Sequence, residues 1–222
     1  MDWNAWHDRY DATDSWMARR LLTVQGRIRI ALDHAPAGPL RVVSLCAGDG
    51  RDLLHVLRDH PRRRDVRARL VELDPRNTAA AAETARLAGL DQVEVVTGDA
   101  SLIDQYRDMI PADLVLICGV FGNITDSDIE HTVSACNQLC GTGGTVIWTR
   151  HRAAPDRVPA ICDWFGEHGF EQQWLSEPDA GYGVGVHRFT GTPEPLHTGT
   201  RLFEFVGYDV LRRGGTPSSE DR

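Results

Sequence analysis

Val43-Ser44-Leu45-Cys46-Ala47-Gly48-Asp49-Gly50-Arg51-Asp52 runs from an apolar, β-branched segment into a turn with glycine at two alternate positions. Gly48 and Gly50 permit a tight turn and let a ligand approach the backbone closely. Leu53, Leu54 and Leu57 follow at the spacing of a helix's buried side, and Pro61 ends that stretch. The reading is strand, glycine turn, helix. A turn of this kind opens a helix whose first amides favour a negative group such as a carboxylate.

The same alternation continues outward from this unit. On the amino side, Asp14 or Ser15 is placed to cap a helix through about Asp33, with Leu21, Leu22, Val24, Ile28, Ile30 and Leu32 as its apolar residues. Ala35-Pro36-Ala37-Gly38-Pro39 breaks the chain. On the carboxyl side, Arg69 to Leu73 reads as a second strand. Asp74-Pro75 starts an Ala-rich helix that stops at Gly89. Val93 to Val96 is a third strand, Ser101 to Ile110 a short helix and Asp113 to Ile117 a fourth strand. Ser127 and Glu130 have the spacing of a capping box for a helix ending at Gly141. Thr145 to Thr149 is a fifth strand, and Val158 to His168 a helix closed by Gly169. Phe170 to Leu175 and Gly183 to Phe189 are two further β segments, and Arg201 to Val206 reads as one more. Strands alternating with helices specify an α/β fold with a mostly parallel sheet covered on both faces. Two final strands without a helix between them imply an antiparallel hairpin at one edge.

The organisation expected is an aromatic segment and helix at 1–37, a main domain at 38–211 and a polar, disordered tail at 212–222. The chain has 222 residues and a net charge of −8. That charge argues against a polyanion as partner, because phosphate contacts need a basic surface. Every basic side chain other than histidine is Arg. The absence of Lys removes a Walker A lysine, a Schiff base and a pyridoxal phosphate anchor. The five cysteines form no C-x-x-C pair, so neither a zinc ribbon nor another metal site is expected. Their odd number suggests a reducing compartment. The start, Met1-Asp2-Trp3-Asn4, carries charge early and has no apolar h-region, and no stretch approaches ~20 apolar residues. The expectation is a cytoplasmic protein without a membrane partner.

In an open α/β sheet, ligands bind outside the carboxyl ends of the strands near the topological switch point. After strand two stands Glu72, roughly 20 residues beyond the glycines, where an acid accepts a ribose hydroxyl pair. Asp74 is better explained as a helix cap. Strand three ends in Thr97-Gly98-Asp99-Ala100, whose acid can accept a proton from an exocyclic amine. Strand four ends in Ile117-Cys118-Gly119-Val120-Phe121-Gly122-Asn123-Ile124, small residues with an aromatic and an amide.

Taken together, and in this order and spacing, these four strand ends resemble the class I S-adenosylmethionine-dependent methyltransferases over about residues 40–190. The resemblance implies a Rossmann-like sheet of seven strands with an antiparallel C-terminal hairpin, and S-adenosyl-L-methionine as cofactor. It implies that Cys46, Ala47 and Gly48, with Asp49 and Gly50 in the same turn, lie along the cofactor's methionine part. Glu72 would hold the ribose and Leu73 would pack on the adenine. Asp99 and Ala100 would flank that ring, and Cys118 and Gly119 would line the methionine side. The chain departs from the family at two positions. An acid is usual where Ser44 stands and a glycine where Cys46 stands. Asp49 and Asp52 are the acids near enough to substitute for the first. The standard dinucleotide reading is disfavoured, because Leu53 stands where G-x-G-x-x-G needs its third glycine.

The function implied is methyl transfer to a small-molecule acceptor by in-line displacement. Such a reaction demands alignment and exclusion of water, with a base only where the acceptor must lose a proton. Asn123, His151 and Tyr10 are the candidates for that service, and each also has an ordinary structural reading. Trp3, Trp6 and Tyr10 could form a lid over the sulfonium, since aromatic faces attract a cation. Arg62-Arg63-Arg64 with Arg67 falls at the amino ends of the strands and reads as a solvated turn. Two rival readings keep the fold. An aminopropyl transferase would need acids lining a polyamine channel, which Gly119 to Ile124 lacks. A non-catalytic cofactor-binding protein would bind without turnover.

Overall fold

A computed structural model describes residues 15–206 of the chain. Helix α1 (Trp16–His34) begins where the Ser15 hydroxyl accepts the Ala18 N–H at 3.0 Å. Met17, Val24, Ile28 and Leu32 share its buried side, at the three-to-four spacing of one helix face. Strand β1 (Leu40–Leu45) follows, then the glycine turn and the short helix α2 (Leu53–Leu57). Next come β2 (Val66–Glu72), α3 (Pro75–Leu87) and β3 (Val93–Thr97). A 3-10 helix (Ile103–Met109) leads into β4 (Ala112–Ile117). Helix α4 (Asp126–Leu139), β5 (Cys140–His151) and α5 (Val158–Glu167) precede β6 (Phe170–Leu175) and β7 (Tyr182–Phe189).

The sheet has seven strands in the order β3-β2-β1-β4-β5-β7-β6. β1 pairs in parallel with both β2 and β4, so the chain reverses its direction of travel across the sheet between those neighbours. β7 runs antiparallel to β5 and β6 and forms the hairpin edge. Residues alternate between two cores, as the period of two requires. Leu114 and Leu116 join Val24, Ile28, Leu53 and Leu54 beneath the helices α1 to α3. Val115 and Ile117 join Tyr106, Val133, Trp148 and Phe165 beneath the 3-10 helix, α4 and α5. Helix α1 thus shares a core with the sheet, although the sequence reading grouped it with an N-terminal extension. The fold class expected from sequence is the one observed.

Several local expectations are corrected. Thr125, rather than Ser127, caps α4: its hydroxyl accepts the Asp128 N–H at 3.1 Å. β5 is longer than Thr145 to Thr149, because pairing with β7 runs on to His151. Arg201 to Val206 is no strand. Only an isolated bridge from Leu102 to Arg201 forms, while Leu202 and Phe203 bury themselves in the core under α4. Most instructive is the arginine run. Arg62 donates to the carbonyls of Leu32, Ala35, Pro36 and Gly38 at 2.8–3.1 Å. Arg63 donates to those of Arg58, Ala88 and Gly89. Two guanidiniums therefore satisfy the orphan carbonyls at the ends of α1 and α3. They are structural clamps and not a solvated turn. The expected tail at 212–222 and the aromatic residues Trp3, Trp6 and Tyr10 lie outside the described residues.

Candidate active site

The glycine turn carries three successive left-handed residues on alternate positions: Cys46 at φ 50°, Gly48 at φ 57° and Gly50 at φ 71°. Cys46 is the one non-glycine residue with positive φ among those described. A side chain there costs about 1–2 kcal/mol relative to ordinary backbone, so the surroundings over-determine this conformation. The turn's own amides set it: Ala47 N–H donates to the Val71 carbonyl at 3.0 Å and Gly50 N–H to the Ala47 carbonyl at 2.9 Å.

A cleft open to solvent lies outside the ends of β1 and β4. That is the switch point of this strand order, where open α/β sheets bind their ligands. Cys46, Ala47, Gly48 and Asp49 form one wall and Cys118, Gly119 and Thr149 the other. Arg20, Leu21 and Val24 of α1 close the top, with Arg51 and Asp52 at the start of α2. Sequence reasoning missed the α1 contribution. Arg20 sits in an amphipathic helix that also carries Arg19, Arg27 and Arg29, and nothing local distinguishes it.

The walls are pinned by hydrogen bonds that leave their small side chains facing the space. Gly119 N–H donates to the Thr149 hydroxyl at 2.9 Å, and Asn123 Nδ2 donates to the Gly119 carbonyl at 2.8 Å. Asp49 is held by Arg51, whose Nε donates to both carboxylate oxygens at 2.9 and 2.8 Å. Burial pushes the thiols of Cys46 and Cys118 far up from their ordinary value. The charges of Glu72 and Asp99 add to this at Cys46, and that of Asp52 at Cys118. Both thiols stay protonated and are poor nucleophiles at neutral pH.

The remaining expected cofactor residues continue the same sheet edge. Glu72 ends β2, with Oε2 accepting the Gly48 N–H and Oε1 the Asp74 N–H, each at 2.9 Å. Each oxygen keeps a second acceptor direction. Leu73 beside it is 68% exposed, a large apolar side chain left uncovered at the rim. Asp99 accepts from the Ser101 N–H and hydroxyl on Oδ1 and from Arg201 on Oδ2. Ala100 is buried, and its carbonyl accepts the Tyr106 hydroxyl at 2.8 Å. Gly50 faces away from the cleft: a Cβ there would meet Leu54 and Leu70 at 2.7 Å.

The base candidates are less central. Asn123 and His151 do not line the cleft, and Tyr10 lies outside the described residues. His151 Nε2 faces Arg150 Nη1 at 2.8 Å while Nδ1 faces the Ala153 N–H at 3.2 Å. A neutral imidazole carries one N–H, so the ring can accept only one of these. Burial, then the Arg150 charge, lowers its pKa, which makes it neutral and a weak base. Phe121 is fully buried against Trp148 and belongs to the core.

No protein-family model matches the chain, and no curated protein matches it in sequence. Solved structures do match in fold. Magnesium protoporphyrin IX methyltransferase from Synechocystis, solved with S-adenosylhomocysteine, superposes with a TM-score of 0.66 at 13% identity, covering 84% of this chain and 93% of its own. The 1,6-didemethyltoxoflavin-N1-methyltransferase of Burkholderia thailandensis gives 0.60 at 18% identity, covering 85% and 86%. The 4+2 cyclase SpnF gives 0.54 at 15%, covering 77% and 82%. The fold is that of the class I S-adenosylmethionine-dependent methyltransferases.

Proposed function

We propose that the protein transfers a methyl group from S-adenosyl-L-methionine to a small-molecule acceptor. The observation that carries the reading is the cleft at the β1/β4 switch point, continuous in sequence order with Glu72, exposed Leu73 and Asp99 along the same sheet edge. The residues present fit the cofactor. Cys46, Ala47, Gly48 and Gly119 leave room for a methionine part, Glu72 offers acceptor directions for ribose hydroxyls, and Leu73 offers an apolar face for adenine. When bound, the cofactor supplies an electrophilic methyl group on a sulfonium sulfur.

What the chain does for the reaction is to hold, align and shield. The Gly119–Thr149 and Asn123–Gly119 bonds fix the wall beside the reacting centre. The protonated thiols of Cys46 and Cys118 border that centre without competing for the methyl group. Asn123 and His151 stand outside the cleft, so neither is placed to take a proton from an acceptor bound there. The net charge of −8 supports a small acceptor over a nucleic acid. No helix among the described residues is long and apolar enough to cross a membrane.

The competing reading is a protein that binds the cofactor without methyl transfer. A cyclase of this fold shows that the architecture hosts other chemistry. Calorimetry with S-adenosylhomocysteine, alongside transfer of labelled methyl from S-adenosylmethionine to a panel of hydroxyl, amine and thiol acceptors, separates the two. Binding with transfer supports methyl transfer, and binding with none across the panel favours the competing reading. No binding of S-adenosylhomocysteine removes both.

A further inference from the structure

We infer that the groove between the carboxyl half of α1 and the hairpin edge of the sheet binds a small anion through Arg27 and Arg188. The anion carries carboxylate or phosphate groups, both of which match the paired N–H donors of a guanidinium. This site is separate from the proposed cofactor cleft and does not depend on that reading.

The groove opens at the amino edge of the sheet, opposite the cleft. Asp113 at the start of β4, Thr145 of β5, Trp174 of β6 and Arg188 of β7 line it, and Arg27 and Ile30 of α1 face them. Thr145 and Arg188 are partners in the antiparallel β5–β7 register. The two arginines differ from most others. Among the described residues, ten arginines pair with a carboxylate, as an acidic chain of net charge −8 readily allows. Arg27 and Arg188 have no ion-pair or hydrogen-bond partner among the described residues. Glu171 stands opposite Arg188 in the β6–β7 ladder, yet it forms no ion pair with it and does not line the groove.

Arg27 is held in place all the same. Its guanidinium lies 3.8 Å from the centroid of the Trp174 ring, and Trp174 packs against the apolar core beneath α1. Stacking on a ring face leaves the N–H groups along the guanidinium edge free to donate. Donors already fixed spare a ligand the entropy of ordering them. Arg188 lies against Gly143, at φ 82°, where an added Cβ would sit 3.6 Å from Nη2. Negative charge nearby is answered from elsewhere. Asp113, the acid in the lining, accepts the Arg41 N–H on Oδ2 at 2.7 Å. Arg62 covers the Leu32 and Ala35 carbonyls at the end of α1, the negative end of the helix dipole. The groove therefore presents two unanswered cations, one of them pre-oriented, and one acid already engaged.

Thermal melts of the whole protein against inorganic phosphate and against succinate, with sodium chloride matched for ionic strength, test this. A ligand of the native state raises the melting temperature in a saturable way. The wild type is expected to respond saturably to at least one probe. A response to phosphate assigns a phosphate-bearing ligand, and a response to succinate a carboxylate. Arg27→Gln and Arg188→Gln should each raise the apparent Kd about tenfold, and the double variant should not respond. Arg67→Gln, at an exposed position outside the groove, should respond as the wild type does. Arg188 is also exposed, so Arg188→Gln decides if Arg27→Gln fails to fold. No saturable response to either probe overturns the proposal, as does a response undiminished in Arg188→Gln or weakened equally by Arg67→Gln. A probe that competes with S-adenosylhomocysteine in calorimetry occupies the cleft instead, and that result also overturns it.

Discussion

Arg201 donates to Oδ2 of Asp99 at 2.9 Å although the two stand 102 positions apart in the sequence. The same guanidinium reaches the Ser101 hydroxyl at 2.7 Å, and the next residue, Leu202, is fully buried. A strap from the end of the described chain therefore crosses the carboxyl edge of β3. The ion pair is exposed, 51% at Arg201 and 40% at Asp99, so its worth is small. Arg201→Ala should cost under about 1 kcal/mol, whereas Leu202→Ala should cost about 2–5 kcal/mol. Urea denaturation of both variants checks this. A larger loss for Arg201→Ala would mean that the ion pair, and not apolar burial, anchors the strap.

Glu72 is placed to serve both the turn and the ligand. Glu72→Ala should weaken S-adenosylhomocysteine binding by about 1.5–3 kcal/mol. Glu72→Gln keeps an acceptor oxygen and should lose less. Unchanged affinity in a folded Glu72→Ala protein, measured calorimetrically, would remove Glu72 from the binding site.

The affinity itself should depend on pH through Asp52. Burial pushes its carboxyl up to about 6, supported by the Asp49 charge and opposed by the Leu53 amide and Arg20. The Cys118 thiol also faces it and remains neutral in this range. The carboxylate is charged at pH 7.5 and mostly protonated at pH 5. S-adenosylhomocysteine affinity should be flat above pH 7 and fall on the order of tenfold per unit below about 6. In Asp52→Asn the same titration should be flat, and parallel curves would show that Asp52 does not set the dependence.

Stability has its own acid dependence at His187. The ring is fully buried, accepts the Trp148 indole N–H at 3.0 Å and stacks on Phe165 at 4.5 Å. Burial alone lowers its pKa to about 4 from 6.5. Between those values the unfolded chain binds the proton and the native protein does not, so this contribution is intact above pH 6.5 and lost as pH falls to about 4. Asp52 acts with the opposite sign over much of that window, because its native pKa is raised. The histidine contribution is therefore read as a difference. Relative to wild type, His187→Gln should gain about 3 kcal/mol between pH 7 and pH 4. Denaturation at both values measures it, and a constant difference would show that His187 takes up its proton as readily in the native protein as in the unfolded chain.

Close packing on the hairpin makes a further contrast. A Cβ on Gly185 would collide with the Trp148 ring, while one on Gly119 would meet nothing within 4 Å. Gly185→Ala should cost about 1–3 kcal/mol by overpacking and leave ligand affinity intact in the folded protein. Gly119→Ala, at φ 80°, should cost about 1–2 kcal/mol through backbone strain and also obstruct the cleft. Equal effects of the two on binding would mean that Gly119 does not border the ligand.

The order of strands and helices, the hairpin edge and the glycine turn were all legible in the sequence because they depend on near neighbours. Period-two apolar runs, Asp74-Pro75 at a helix start and Gly48 with Gly50 in a turn act over a few residues, and short-range sterics decide them. The carboxyl edge that carries the cleft was legible too, since a strand–turn–helix unit points its turn to that end of the sheet. Long polar side chains were decided only by tertiary structure. Arg62 reads as one of a solvated run until the end of α1 is brought against it, and Arg201 reads as part of a strand until the strap carries it to Asp99. Arg20 enters the cleft only because α1 packs over β5 and β7, which no local pattern in α1 encodes. Apolar periodicity specifies which face of an element is buried, but the crossovers between distant elements choose which charges meet.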